Sequence, residues 1–183
     1  IILRGEREDI RPEAAIEVVN HSRAISLPKQ VANASWAQGH GAEATRTSHP
    51  ALSAAPQRIW SASIGDGEGR RPRVPAPPVG GGGRIYARDR AARVSAVSQQ
   101  GQVLWRSTLI PAADDEGQAT GGGLAYDDGV LYISSGYGVL TALNAADGSL
   151  IWRQELDATG SGQPRVSGGL VYLVAGDDTG WAV

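Results

Sequence analysis

Few residues in this chain have the type and spacing that chemistry at a site requires. The three histidines, His21, His40 and His49, all fall in the first fifty residues, and their spacing fits no metal-ligand set. Adjacent carboxylates at Asp114-Asp115, Asp127-Asp128 and Asp177-Asp178 could ligate Ca²⁺ only if several oxygens converged. They stand instead where turns are expected, and there Asp accepts backbone hydrogen bonds. Glycine runs at Gly80 to Gly83 and Gly121 to Gly123 could cradle a phosphate, but neither is followed by Lys-Ser/Thr or opens a helical pattern. The chain contains no Cys, hence no thiolate ligand or thiol nucleophile. No Ser/His/Asp arrangement has supporting context. The expectation is no catalytic, cofactor-binding or metal site.

One charge feature could mark a binding face. Arg70, Arg71, Arg73, Arg84, Arg88, Arg90 and Arg93 lie within 24 residues. Five of them, Arg70, Arg71, Arg73, Arg88 and Arg90, are the candidate contacts for an acidic partner or anionic lipid heads; the competing reading is a solvated loop. Nucleic acid is not expected, because only Tyr86 interleaves with these cations as a stacking platform. Across the chain the formal net charge of −2 is uneven. Residues 1–57 carry six basic and six acidic side chains, 58–93 eight and three, and 94–183 three and ten.

These residues must be positioned by a fold, and the composition is ordinary for a folded domain: 183 residues, 41% hydrophobic and 20% charged. No run of about 18 apolar residues is present to cross a bilayer as a helix. The 25 Gly, five Trp and five Tyr with no Phe favour short strands between tight turns.

An internal repeat settles the architecture expected. Three segments align without gaps: GRIYARDRAARVSA from Gly83, GVLYISSGYGVLTA from Gly129 and GLVYLVAGDDTGWA from Gly169. Each places Tyr ten residues before Ala: Tyr86 and Ala96, Tyr132 and Ala142, Tyr172 and Ala182. Downstream, SAVSQQGQVLWRSTL and TALNAADGSLIWRQEL each carry an apolar run with a Trp, Trp105 and Trp152, and Trp60 precedes them in phase. Within a unit the reading is four short antiparallel strands. A first apolar strand enters a Gly-Gly or Asp-Asp-Gly turn, where positive φ is tolerated. The Tyr strand follows, then a third strand ending at the Ala. The Asp147-Gly148 or Gln100-Gly101 turn sends out a fourth strand with Trp. A small sheet with two apolar faces must stack against copies of itself, and radial stacking gives an all-β propeller. The Ala is expected at a crowded inner turn, and the Trp in the gap between blades.

The pattern Ala-x-Asn-x-x-Asp-Gly-x-x-x-Trp from Ala142 to Trp152 resembles the signature of pyrroloquinoline-quinone (PQQ) type propeller repeats, over roughly residues 57–183. More narrowly, IWSASIGDGEG, GGGRIYARD and GQVLWRSTL resemble the BamB family, lipoproteins of the outer-membrane β-barrel assembly machinery. The resemblance implies an eight-bladed propeller when complete, of which about the first three blades are present. Residues 1–56 would be an extended tether and lead-in, with a short helix over 12–20. Residues 57–63 would form a strand of the closing blade, 75–110 and 122–157 two whole blades, and 163–183 an incomplete third.

The resemblance also implies a non-enzymatic scaffold in the periplasm, assisting insertion of β-barrel proteins. Its partners would be a central insertase and barrel precursors, its only membrane contact a lipid anchor on a Cys upstream of Ile1. Two alternatives stay open. One is a quinone-dependent dehydrogenase; such enzymes hold the quinone on the propeller axis over a Trp floor with Ca²⁺ and an Asp base. The other is a PQQ-like repeat protein with a different partner.

Overall fold

The computed structural model describes residues 24–39, 49–65, 76–119, 121–160 and 162–183. The helix expected over 12–20, His21, His40 and Arg70, Arg71 and Arg73 lie outside the described residues. The described residues form eleven strands in three antiparallel sheets. The first sheet holds β1 (Val79–Gly81), β2 (Arg84–Arg88), β3 (Arg93–Ser98) and β4 (Val103–Thr108) in chain order. The second holds β5 (Leu124–Asp127), β6 (Val130–Ser135), β7 (Val139–Asn144) and β8 (Leu150–Glu155). The third holds β9 (Arg165–Ser167), β10 (Leu170–Val174) and β11 (Gly180–Ala182).

The first hairpin of each sheet closes on two consecutive residues with positive φ: Gly82 and Gly83 at 58° and 72°, Asp128 and Gly129 at 38° and 82°, Gly168 and Gly169 at 60° and 79°. That backbone matches the right-handed twist of the flanking strands, which is why Gly-Gly and Asp-Gly recur there. Strands β1, β5 and β9 lie side by side at the inner edge, while β4 and β8 lie at the outer one.

The apolar core lies between the sheets. Because successive strand residues point to opposite faces, Leu124, Leu131 and Ile133 of the second sheet join Val79, Tyr86, Val94 and Ala96 of the first. The opposite face gives Ala125, Leu140, Tyr132 and Trp152 to a second cluster with Val166, Val171 and Leu173 of the third sheet. On the far side of the third sheet, Leu170, Tyr172 and Val174 are exposed. This is the stacked-blade packing of a propeller, and the fold is a partial one of four-stranded blades.

Two expectations are corrected. Ala96 and Ala142 do not end the third strand, nor do they sit at an inner turn. Each stands within its strand, opposite Tyr on one side and Trp on the other, in the triples Tyr86, Ala96, Trp105 and Tyr132, Ala142, Trp152. A methyl group between them lets the two rings approach across the sheet to 6.0 Å between centroids in both blades. A bulge follows each Ala, at Ala96/Val97 and Ala142/Leu143, and re-aims the strand before its turn.

Segment 57–64 pairs with no strand among the described residues. It lies along the first blade: Ser95 Oγ donates to Ile64 O at 3.1 Å and Arg106 Nη2 to Ser63 O at 2.9 Å.

Candidate interaction surface

The aromatic signature residues are engaged in joining one blade to the next. Trp105 of β4 donates Nε1–H to Ala145 O at 3.1 Å in the turn between β7 and β8, and its ring covers Gly148. Trp60 makes the same contact with the β3–β4 turn of the first blade, donating to Gln99 O at 2.8 Å and covering Gly101. Tyr86 donates its hydroxyl to the same Ala145 O at 3.1 Å and stacks on Tyr126 at 5.7 Å. Burial raises the Tyr86 phenol above its ordinary value, against an opposing pull from Arg84. Burial likewise raises Tyr132, whose ring packs on Trp152. In the third copy Tyr172 stands opposite Ala182 as expected, with its ring exposed.

Among the described residues, Arg84, Arg88, Arg90 and Arg93 do not assemble into one basic face. Arg88, expected on the surface, is 1% exposed, and this is a correction. Its side chain follows Tyr86 onto the same inward face of β2, and Nη1 donates to Gly121 O in the segment leading into β5. Nε and Nη2 have no hydrogen-bond partner among the described residues, and burial lowers the guanidinium below its ordinary range, with Asp89 pulling the other way. Arg90 is half-buried and engaged. Arg93 grips Glu116 through Nη2 at 3.0 and 3.1 Å and lies 3.9 Å from Asp89. Arg84 reaches back to Gly82 O. Arg70, Arg71 and Arg73 lie outside the described residues.

Strand alternation places the β2–β3, β6–β7 and β10–β11 turns and both inter-blade connections on one rim. There the structure gathers acids that reading along the chain leaves apart. A groove of about 620 Å³ runs between segment 111–119, the turn Gly136-Tyr137-Gly138 and segment 155–159, with Asp114, Glu155 and Asp157 in its walls. Tyr137 Oη donates to Asp115 O at 2.9 Å and ties the floor to the wall. The signal for this in the sequence was the excess of seven negative charges in residues 94–183. The arrangement can accept basic side chains.

Asp147 and Asp177 act in turns. Asp147 accepts from Ser149 through both hydroxyl and N–H at 2.7 and 2.9 Å, which lowers its carboxyl below the usual value. Asp177 accepts Thr179 N–H at 3.1 Å with the same effect. Among the described residues no three of His, Cys, Asp or Glu are grouped to hold a metal ion. His49 Nδ1 lies 2.9 Å from Pro28 O.

Comparison with known proteins places this geometry. The family model described as outer membrane protein assembly factor BamB matches residues 90–183. Outer membrane protein assembly factor BamB of Yersinia pestis is 28% identical over 123 residues, covering 64% of this chain and 31% of that protein. The protein of the same description from Shewanella oneidensis is 33% identical over 104 residues, covering 53% and 26%. The chain thus spans less than a third of the length of either. Among solved structures, quinohemoprotein alcohol dehydrogenase from Comamonas testosteroni superposes with a TM-score of 0.51 at 28% identity, over 64% of this chain and 19% of that one.

Proposed function

We propose a scaffolding function from one premise: the chain belongs to the family of outer membrane protein assembly factor BamB. In this reading the chain is part of a non-catalytic propeller in the periplasm, held to the outer membrane through a lipid anchor outside this sequence. It binds an insertase and helps present barrel precursors to it. Residues 57–63 would complete a closing blade with strands that follow Val183.

The observation that carries the reading is the engagement of the signature aromatics. Trp105 and Tyr86 have their polar atoms bonded to a backbone carbonyl across the junction of the first two blades, Trp60 has its own bonded to Gln99 O of the first blade, and their rings lie against turns or other rings. They act as blade fasteners, a role compatible with a rigid platform whose rim loops make the contacts. The rim groove with Asp114, Glu155 and Asp157, and the stretch with Arg70, Arg71 and Arg73, are the proposed partner-facing features, and their opposite charges would fix the partner's orientation.

The test uses full-length protein. Reversal of Arg70, Arg71 and Arg73 to Glu is expected to weaken capture of the insertase at least several-fold, and more at low salt, with an unchanged melting temperature; unchanged capture would overturn the role of these residues. Addition of PQQ and Ca²⁺ is expected to produce no alcohol-dependent dye reduction. Turnover there would instead establish the dehydrogenase reading suggested by the quinohemoprotein likeness.

A further inference from the structure

The inner edges of β1, β5 and β9 carry a partner that the repeat does not supply. Trp36 N–H donates to Gly80 O at 2.7 Å and Gly80 N–H returns to Trp36 O at 2.8 Å, a two-way bridge to the first blade. The next residue, Ala37, accepts Tyr126 N–H of the second blade at 2.7 Å. Gln38 then binds the third blade with its side chain. Its Oε1 accepts Val166 N–H at 2.9 Å and its Nε2 donates to Val166 O at 3.0 Å. The carboxamide thus does for Val166 what a peptide group of a neighbouring strand would do. It is 4% exposed. Gly39 finishes the run, accepting Arg165 Nη1–H at 2.7 Å, and a Cβ on it would stand 2.6 Å from Gln163 Oε1. Gln163 in turn donates to Leu124 O at 2.9 Å, joining the third blade to the second.

We infer that Trp36–Gly39 is an axial strap. Four consecutive residues from outside the blade repeat satisfy one inner strand after another and so fix the rotation between successive blades. An unpaired inner edge would otherwise offer its N–H and C=O groups to any extended chain. The strap closes that route on three blades. It also makes the axial side of this part of the ring a structural seam, a property that goes beyond the scaffold reading and does not depend on any partner.

Hydrogen exchange on the full-length protein tests this. In Gln38→Ala the Val166 amide loses its acceptor, and its exchange is expected to rise about three- to tenfold, the range for one buried hydrogen bond. A smaller rise is expected at Tyr126 and Gly80, with amides of β4 and β8 unchanged. Gln38→Glu keeps an acceptor for Val166 N–H but loses the donor to Val166 O, so it should retain most of the protection at Val166. Gln102→Ala, at an exposed turn, is the control and should alter none of these. Unchanged exchange at Val166 in Gln38→Ala, or an equal rise through β4 and β8, would overturn the strap. Partner capture is not read in this experiment, so failure of the scaffold reading leaves its outcome intact.

Discussion

Gly148 is the place where a single methyl group should report whether Trp105 seats the first blade on the second. It closes the β7–β8 turn at φ +76°, and a Cβ there would lie 2.6 Å from Trp105 Cε3. Gly148→Ala therefore has two separable costs. Holding an L-residue in the left-handed region costs about 1–2 kcal/mol. Driving a methyl into a seated indole costs about 1–3 kcal/mol more, as in other overpacked sites. Trp105→Ala should itself cost about 2–4 kcal/mol, below the value for a fully buried Trp because the ring is only partly buried. In the Trp105→Ala background the second cost of Gly148→Ala has no target, and only the backbone cost is left. The double variant should then be about 1–3 kcal/mol more stable than the sum of the single changes predicts. Urea unfolding of the four full-length proteins, compared at a common m-value, measures this. A coupling below about 0.5 kcal/mol, the additivity expected of independent sites, would refute the docking of Trp105 on Gly148.

Two further predictions concern charge. Arg88→Met keeps the length of the buried stem and removes a buried cation, but also removes the donor to Gly121 O, so it should cost about 1–2 kcal/mol. Arg88→Ala should cost about 2–4 kcal/mol through the cavity it leaves, and a Met variant as damaged as the Ala one in thermal melts would show that the charge itself is required. The Asp147 carboxyl is lowered in the fold from an ordinary value of 3.8, so its contribution is present above that pH and is lost as the pH falls through the folded value. Asp147→Asn should therefore flatten the stability profile below about pH 4 and leave it parallel to the parent's at neutral pH; parallel profiles throughout would remove Asp147 from the acid limb.

What the chain's sequence makes legible is whatever repeats. The Gly-Gly and Asp-Gly hairpins, the Tyr-to-Ala interval and the recurring Trp were all readable, because each is a local turn or a fixed cross-strand register. The place of the Ala within its strand was not readable, since the bulge after it shifts the register by a residue that spacing alone assigns to the turn. Arg88 was misplaced for a related reason. A run of arginines looks solvated, but strand alternation puts this one on the face of Tyr86. The groove draws on three separated segments, and the strap rests on pairs as distant as Gln38 and Val166, 128 positions apart. Neither has a period for a sequence reading to find.

The fasteners explain why the repeat is strict at some positions and free at others. The junction of the first two blades is made by Trp105 from one unit and the turn glycine Gly148 from the next, and Trp60 covers Gly101 in the same way. A second tie comes from the residue two after the Tyr, which reaches the segment leading into the following unit. Arg88 does this with Gly121 O and Ser134 with Gly162 O. The chemistry of the second tie differs between junctions, a guanidinium in one and a hydroxyl in the other, while its geometry is kept. The Trp and Gly do not vary, because the ring fits only where a Cβ is missing. Blade stability is therefore carried largely by nearest-neighbour terms, and the strap adds a contact that spans three units at once. A lesion at Trp105 should loosen one junction, whereas one at Gln38 should be felt along the inner edges that the strap joins.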